Sequence, residues 1–148
     1  MKIRMLGAAL LVAALVPVAA LAGSRAMHPE LGAKLVGTVE VPKGAPKGHG
    51  IVNLTLNEAK GTVCWTFAGI TGIGKATAAH IHKGAPGKAG PVVVPFGDAY
   101  KAKGCTKAAK SLIAAIESHP NSYYVNVHTA KYPAGAIRGQ LVAGMVHM

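Results

Sequence analysis

From residue 33 onward, apolar residues recur at alternate positions in short bursts, each closed by glycine, proline or lysine. A two-residue period predicts strands that turn one face to a core. Over 34–41, Leu35, Gly37, Val39 and Val41 share one side, and Pro42-Lys43-Gly44 ends the run. Residues 51–56 and 62–67 predict a hairpin across the loop 57–61. A glycine-rich link over 69–74 leads into a strand at 75–82. After a turn over 83–90 comes a short apolar strand at 91–96. The final strands are predicted at 123–129 and 136–145, joined by 130–135. The period changes once. Residues 106–118 place Leu112, Ile113 and Ile116 on one helical stripe, with Thr106 as N-cap and His119-Pro120 as the stop. About seven or eight short strands with one helix predict an all-β fold, an antiparallel Greek-key sandwich or barrel.

The first 22 residues follow another logic. Lys2 and Arg4 precede an almost wholly apolar run from Met5 to Leu21, which closes on Ala20-Leu21-Ala22 before Gly23. A basic start, an apolar middle and an A-x-A end predict a cleaved signal peptide over 1–22, hence a periplasmic or secreted protein. An uncleaved anchor is the competing reading, because the run approaches the roughly 18 apolar residues of a membrane span. Pro17 and the small residues before Gly23 favour cleavage, with a cut after Ala26 as a weaker alternative. Removing 22 of the 148 residues leaves 126, enough for one domain: an N-terminal segment at 23–32, then the domain at 33–148.

Charge and cysteines refine this picture. Without Lys2 and Arg4 the 16 basic residues become 14 against 5 acidic ones, a balance of +9. The lysines are scattered singly through loops, and 5% aromatic content provides no stacking platform, so specific nucleic-acid binding is not indicated. Weak adhesion to anionic envelope polymers fits better. Cys64 and Cys105 are the only cysteines, and in an oxidising compartment they predict a disulfide. They lack the C-x-x-C spacing of redox pairs.

The candidate chemistry lies in two strands. In Ala79-His80-Ile81-His82 the histidines point one way and Ile81 the other. In 123–129, Tyr123, Val125 and Val127 share one face; Tyr124, Asn126 and His128 share the opposite one. If the aliphatic side is buried, His80, His82 and His128 all face away from the core. Same-face residues two apart are about 6.5 Å apart at Cα, so two imidazoles can meet one ion with a third from a paired strand. Imidazole ligands suit copper, zinc or nickel, with affinity rising toward copper and zinc behind it. Tyr124 and Asn126 are placed to orient such ligands. Arg138, on the adjacent last strand, would hold an anion or pair with Glu117. The alternative is that the histidines bond to neighbouring backbone and Thr129 to fix the sheet. His49 in a turn, His119 at the helix end, and His28 and His147 near the termini read as solvated; His147 with Met145 and Met148 offers only a loose copper set.

The run 79–84 (Ala-His-Ile-His-Lys-Gly) with Gly87 and Gly90-Pro91-Val92-Val93, then 123–129, then 132–141 (Tyr-Pro-Ala-Gly-Ala-Ile-Arg-Gly-Gln-Leu), resembles the CHRD domain. That module, first named in chordin, an extracellular antagonist of secreted growth factors, also occurs as single-domain secreted bacterial proteins. The resemblance covers about residues 33–143. It implies an extracellular fold and, through chordin, an adhesion or protein-interaction role. A weaker resemblance is to copper–zinc superoxide dismutases, which carry a His-x-His pair on one strand and another copper-binding histidine on a late strand. It implies a three-histidine half-site at His80, His82 and His128. The loop 83–90 has neither a bridging histidine nor zinc ligands.

Other chemistries fail on their residues. The run 69–76 approaches a phosphate-binding loop but lacks the final Ser/Thr and leads into a strand. No G-x-S-x-G elbow is present, and Glu30, Glu40, Glu58, Asp98 and Glu117 show no paired spacing for acid–base work. The sequon at Asn53 is embedded in a strand. Two readings therefore stand: a secreted metal-binding domain, copper favoured, in metal handling or envelope protection, and a metal-free adhesion or interaction module. No catalytic residue is identified, and a dismutase-type enzyme ranks third.

Overall fold

The computed structural model describes residues 28–148; the expected signal peptide lies outside them. Nine strands pair antiparallel throughout: β1 (Glu30–Val36), β2 (His49–Asn57), β3 (Thr62–Thr71), β4 (Ala76–Lys83), β5 (Val92–Pro95), β6 (Lys103–Lys107), β7 (Tyr123–Thr129), β8 (Ile137–Gln140) and β9 (Val142–Ala143). One helix, α1 (Lys110–Ser118), lies between β6 and β7. The strands form one nearly closed sheet in the order β5-β4-β7-β8-β1-β2-β3-β6, with β9 on β1. The expected all-β antiparallel architecture is therefore present, with one more strand than the upper estimate of eight.

The alternation resolves into an interior of Ala33, Leu35, Val52, Leu54, Leu56, Val63, Ile81, Val125, Val127 and Ile137, all essentially inaccessible. Between the sheet's two end strands, residues 96–102 stitch the barrel shut. Phe96 and Tyr100 donate backbone N–H bonds to the Ala79 and Thr77 carbonyls of β4, at 3.1 and 2.8 Å. On the other side Phe67 N–H donates to Ala102 (2.7 Å), and the Trp65 indole donates to Lys101 (2.9 Å). Trp65 and Phe96 stack beneath this seam at 4.4 Å. The Cys64–Cys105 disulfide joins directly opposed residues of β3 and β6, with Cα atoms 4.0 Å apart.

Three expected boundaries move, each for a physical reason. The first strand runs Glu30–Val36 and not 34–41, because Gly37 begins a 3-10 turn. The Gly37 carbonyl accepts bonds from Glu40 and Gly44, and a Cβ on Gly37 would collide with the Ala45 backbone. Val39 and Val41, expected on the buried side, are consequently exposed. The helix begins at Lys110 and not 106. Thr106 pairs with Val63 in a strand that the disulfide pins, so ladder and cross-link override the helical stripe; Ala109 occupies the N-cap without a side-chain bond. The last strand, expected at 136–145, is split, since β8 pairs with β7 and β1 whereas β9 pairs with β1 alone.

Candidate metal centre

Adjacent strands bring the three histidines together. His80 and His82 lie on β4, whose register sets Ala78 opposite His128, His80 opposite Asn126 and His82 opposite Tyr124 on β7. Across β7 the next strand sets Arg138 opposite Asn126. His80, His82, His128, Tyr124, Asn126 and Arg138 therefore form one polar patch over three neighbouring strands. One ligand nitrogen from each histidine falls within a cluster whose members are all within 4.8 Å of one another. Around a three- or four-coordinate ion such nitrogens sit about 3.3–3.6 Å apart, so the widest pair closes by roughly an ångström on binding.

The patch faces away from the apolar core, as expected, yet it does not face open water. His82 is 8% exposed, Asn126 1% and Arg138 2%. The loop between β4 and β5 covers it from one side, and the turns at 37–45 and 130–136 reach it from the others. The Gly90 carbonyl accepts a 2.8 Å bond from His82 Nδ1, and the Lys88 carbonyl accepts a 3.0 Å bond from Arg138 Nη2. The Pro133 carbonyl accepts a 2.9 Å bond from His128 Nδ1. Tyr124 stacks on His82 (4.8 Å), carries the Arg138 guanidinium at 3.6 Å, and its hydroxyl accepts the Gly90 N–H at 3.1 Å. Glycine is required at 90, where a Cβ would collide with the Lys83 carbonyl.

These bonds assign the protons. A carbonyl accepts only, so Nδ1 of both His82 and His128 carries hydrogen, and Nε2 of His82 presents a lone pair. Nε2 of His82 is buried with no hydrogen-bond partner among the described residues. Nε2 of His128 lies 3.1 Å from His80 Nδ1 and 3.0 Å from the Asn126 side-chain oxygen. Those two imidazole nitrogens are thus already near the spacing that a shared ion imposes. Burial pushes His80 down to about 4, with repulsion from His128 and then His82 adding to the shift. Burial also lowers His82, against the opposing bond to Gly90. Near neutral pH both rings are therefore free bases, the form that ligates.

The site holds groups that the residue pattern did not reveal. Glu40, delivered by the turn after β1, is 4% exposed beside Asn126 and Arg138. Burial raises its carboxyl, opposed by the Val41 N–H, Arg138 and Asn126. Glu40 is thus the acid near Arg138 in place of the expected Glu117, although Glu40 Oε1 and Arg138 Nη1 are both buried without a hydrogen-bond partner among the described residues; Glu117 instead lies near Glu58 and His28. Nor does Thr129 hold the histidines: its hydroxyl accepts the Tyr132 N–H (3.1 Å) and shapes the turn bearing Pro133. An isolated acid in an apolar run was the only signal for Glu40. The carbonyls of Gly90 and Pro133 had none. The remaining described histidines lie apart from the cluster. His28 bonds to Asn57, and His49 to the Lys47 carbonyl.

Comparison with known proteins identifies one relationship. A family model described as the CHRD domain matches residues 31–141. No curated protein and no solved structure gives a match. The likeness to copper–zinc superoxide dismutases accordingly rests on the histidine arrangement alone.

Proposed function

The chain belongs to the CHRD domain family, and on that footing we propose that it is an exported single-domain protein that binds a transition metal through His80, His82 and His128. The observation that carries this reading is the buried, unpartnered Nε2 of His82, held as a lone pair by the Gly90 carbonyl beside two further imidazoles. A buried acceptor without a donor costs roughly 1–3 kcal/mol, which a bound ion would recover. Neutral imidazoles favour copper over zinc by the usual affinity order. Three protein ligands leave further positions for water or an exchanging ligand. The half-buried His80 would be the side of entry, with the Gly90 and Pro133 carbonyls and the Tyr124 ring keeping the other two ligands oriented.

A copper ion bound there would supply a redox-active or Lewis-acidic centre, but among the described residues no acid–base group stands ready beside it in an exposed cleft. Metal storage, delivery or protection of the envelope therefore fits better than turnover. Export rests on the signal-like residues 1–22 and agrees with the disulfide; among the described residues no helix is long and apolar enough to cross a membrane. Calorimetric titration with Cu²⁺ and Zn²⁺, alongside His80→Ala/His82→Ala, tests the reading. One equivalent of Cu²⁺ binding at sub-micromolar affinity and lost in the double variant is expected. Absence of stoichiometric binding by the folded wild-type chain overturns it and leaves adhesion through the basic surface as the working function.

A further inference from the structure

A second set of soft ligands gathers on the opposite half of the barrel. After β9 the chain reverses at Gly144, whose φ of +84° suits glycine, and runs back across the outer face of the sheet. Gly32 supplies the space: a Cβ there would press on Val146. Asn53 then fixes the segment with both ends of its amide, Nδ2 donating to the Val146 carbonyl (3.1 Å) and Oδ1 accepting the Val146 N–H (2.8 Å). That double bond occupies the sequon asparagine. It also sets where the next two residues fall.

Those residues are His147 and Met148, which line a cleft of about 330 Å³ together with His49 from the start of β2. His49 Nδ1 donates to the Lys47 carbonyl at 3.1 Å, so its Nε2 is the free lone pair, the same device that prepares His82. The Met148 thioether lies over Gly69, where a Cβ would collide with the sulfur. Two glycines and one asparagine thus shape the surface to seat this segment. Lys34 also lines the cleft. A soft monovalent ion would meet the ligands it prefers, thioether and imidazole.

We infer that His49, His147 and Met148 form a second, separate site for a soft monovalent cation of the copper(I) class. The site shares no residue with the three-histidine cluster, and its occupancy does not depend on the function proposed above. Silver(I) is the probe, matching copper(I) in charge and softness without oxidation in air. The intact chain, labelled at methionine methyls and histidine rings, is titrated with Ag⁺ and read by NMR. A saturable shift of the Met148 methyl together with the His49 and His147 rings, complete near one added equivalent for this site, is the expected result. Met148→Leu, which conserves volume, should weaken the response of both rings at least tenfold while the Val146 amide signal stays in place. The inference is overturned if the Met148 methyl and His49 ring do not move. It is equally overturned if His147 and Met148 respond with His49 silent, which would reduce the binding to an unstructured chain end. Signals of His80, His82 and His128 report the other site in the same spectra, so the two readings fail independently.

Discussion

The two halves of the barrel share one core and differ on their outer surfaces. Along β2 and β3 the outward positions are those of an ordinary two-faced sheet, with Thr55 and Thr66 exposed. Along β7 every residue is buried except the partly exposed His128. Alternation of side chains is the same in both; what differs is the covering. Loops lie over β4, β7 and β8 and turn an outer face into a second, polar interior. A polar group in such a place must be partnered or be costly, so each bond there fixes the position of another group. Outside the strip where residues 144–148 lie on Gly32, Asn53 and Gly69, the open half is free of that constraint and tolerates variation.

Arg138→Ala should break the covered half most severely. It removes the buried guanidinium from the Tyr124 ring and from the Lys88 carbonyl and leaves Glu40 without its neighbouring positive charge, at a cost of about 3–5 kcal/mol in denaturant unfolding. Adding Glu40→Gln should restore part of the loss. On the open half, Cys64→Ser/Cys105→Ser should cost roughly 3–4 kcal/mol for a loop closed across 41 residues, with metal affinity at the three histidines unchanged in the folded fraction. Tyr124→Phe sharpens the contrast. Losing one hydroxyl bond to Gly90 should cost about 1 kcal/mol of stability yet lower metal affinity by roughly tenfold or more, because the carbonyl that orients His82 sits on the same residue.

Acid should act on the covered half as well. His80 takes a proton near 6.5 when unfolded but only near 4 when folded. The unfolded state therefore binds more protons between those values, and stability falls as pH drops through that window. Glu40, with a raised carboxyl, contributes in the opposite sense, so melting temperatures of wild type and His80→Ala at pH 7 and 4.5 isolate the histidine. The variant should lose fewer degrees. Smallest of all, Thr66→Ala on the open face should change stability by no more than about 0.5 kcal/mol; a large loss would show that this face is covered too.

Much of this was legible from the chain. The facing of His80, His82 and His128 follows from strand alternation alone, as does the inward line of Val63, Trp65 and Phe67. What escaped was whatever depends on distant backbone. Thr106 carries a reasonable helix start, but its neighbour Cys105 is claimed by β3. Glu40 looks like an outward strand residue until Gly37 bends the chain. Gly90 and Pro133 contribute carbonyls, which every residue possesses and no pattern distinguishes. Local periodicity identifies faces; only the tertiary arrangement shows what lies on top of them.

Strand order also sets a timetable. β1 is flanked by β2 and by β8, so Val36 meets Arg138 across 102 intervening steps of chain. Pairings of such sequence separation are slow to form. The meander of β1, β2 and β3 can assemble from neighbours, whereas the histidines meet only when β4 finds β7, His80 pairing opposite Asn126 far along the chain. The histidine cluster is therefore among the last parts of the molecule to mature, and a metal ion supplied early would meet loose imidazoles on a half-built sheet. On the proposed reading loading belongs after folding, which makes the moment of metal encounter, as much as the affinity, a property written into the topology.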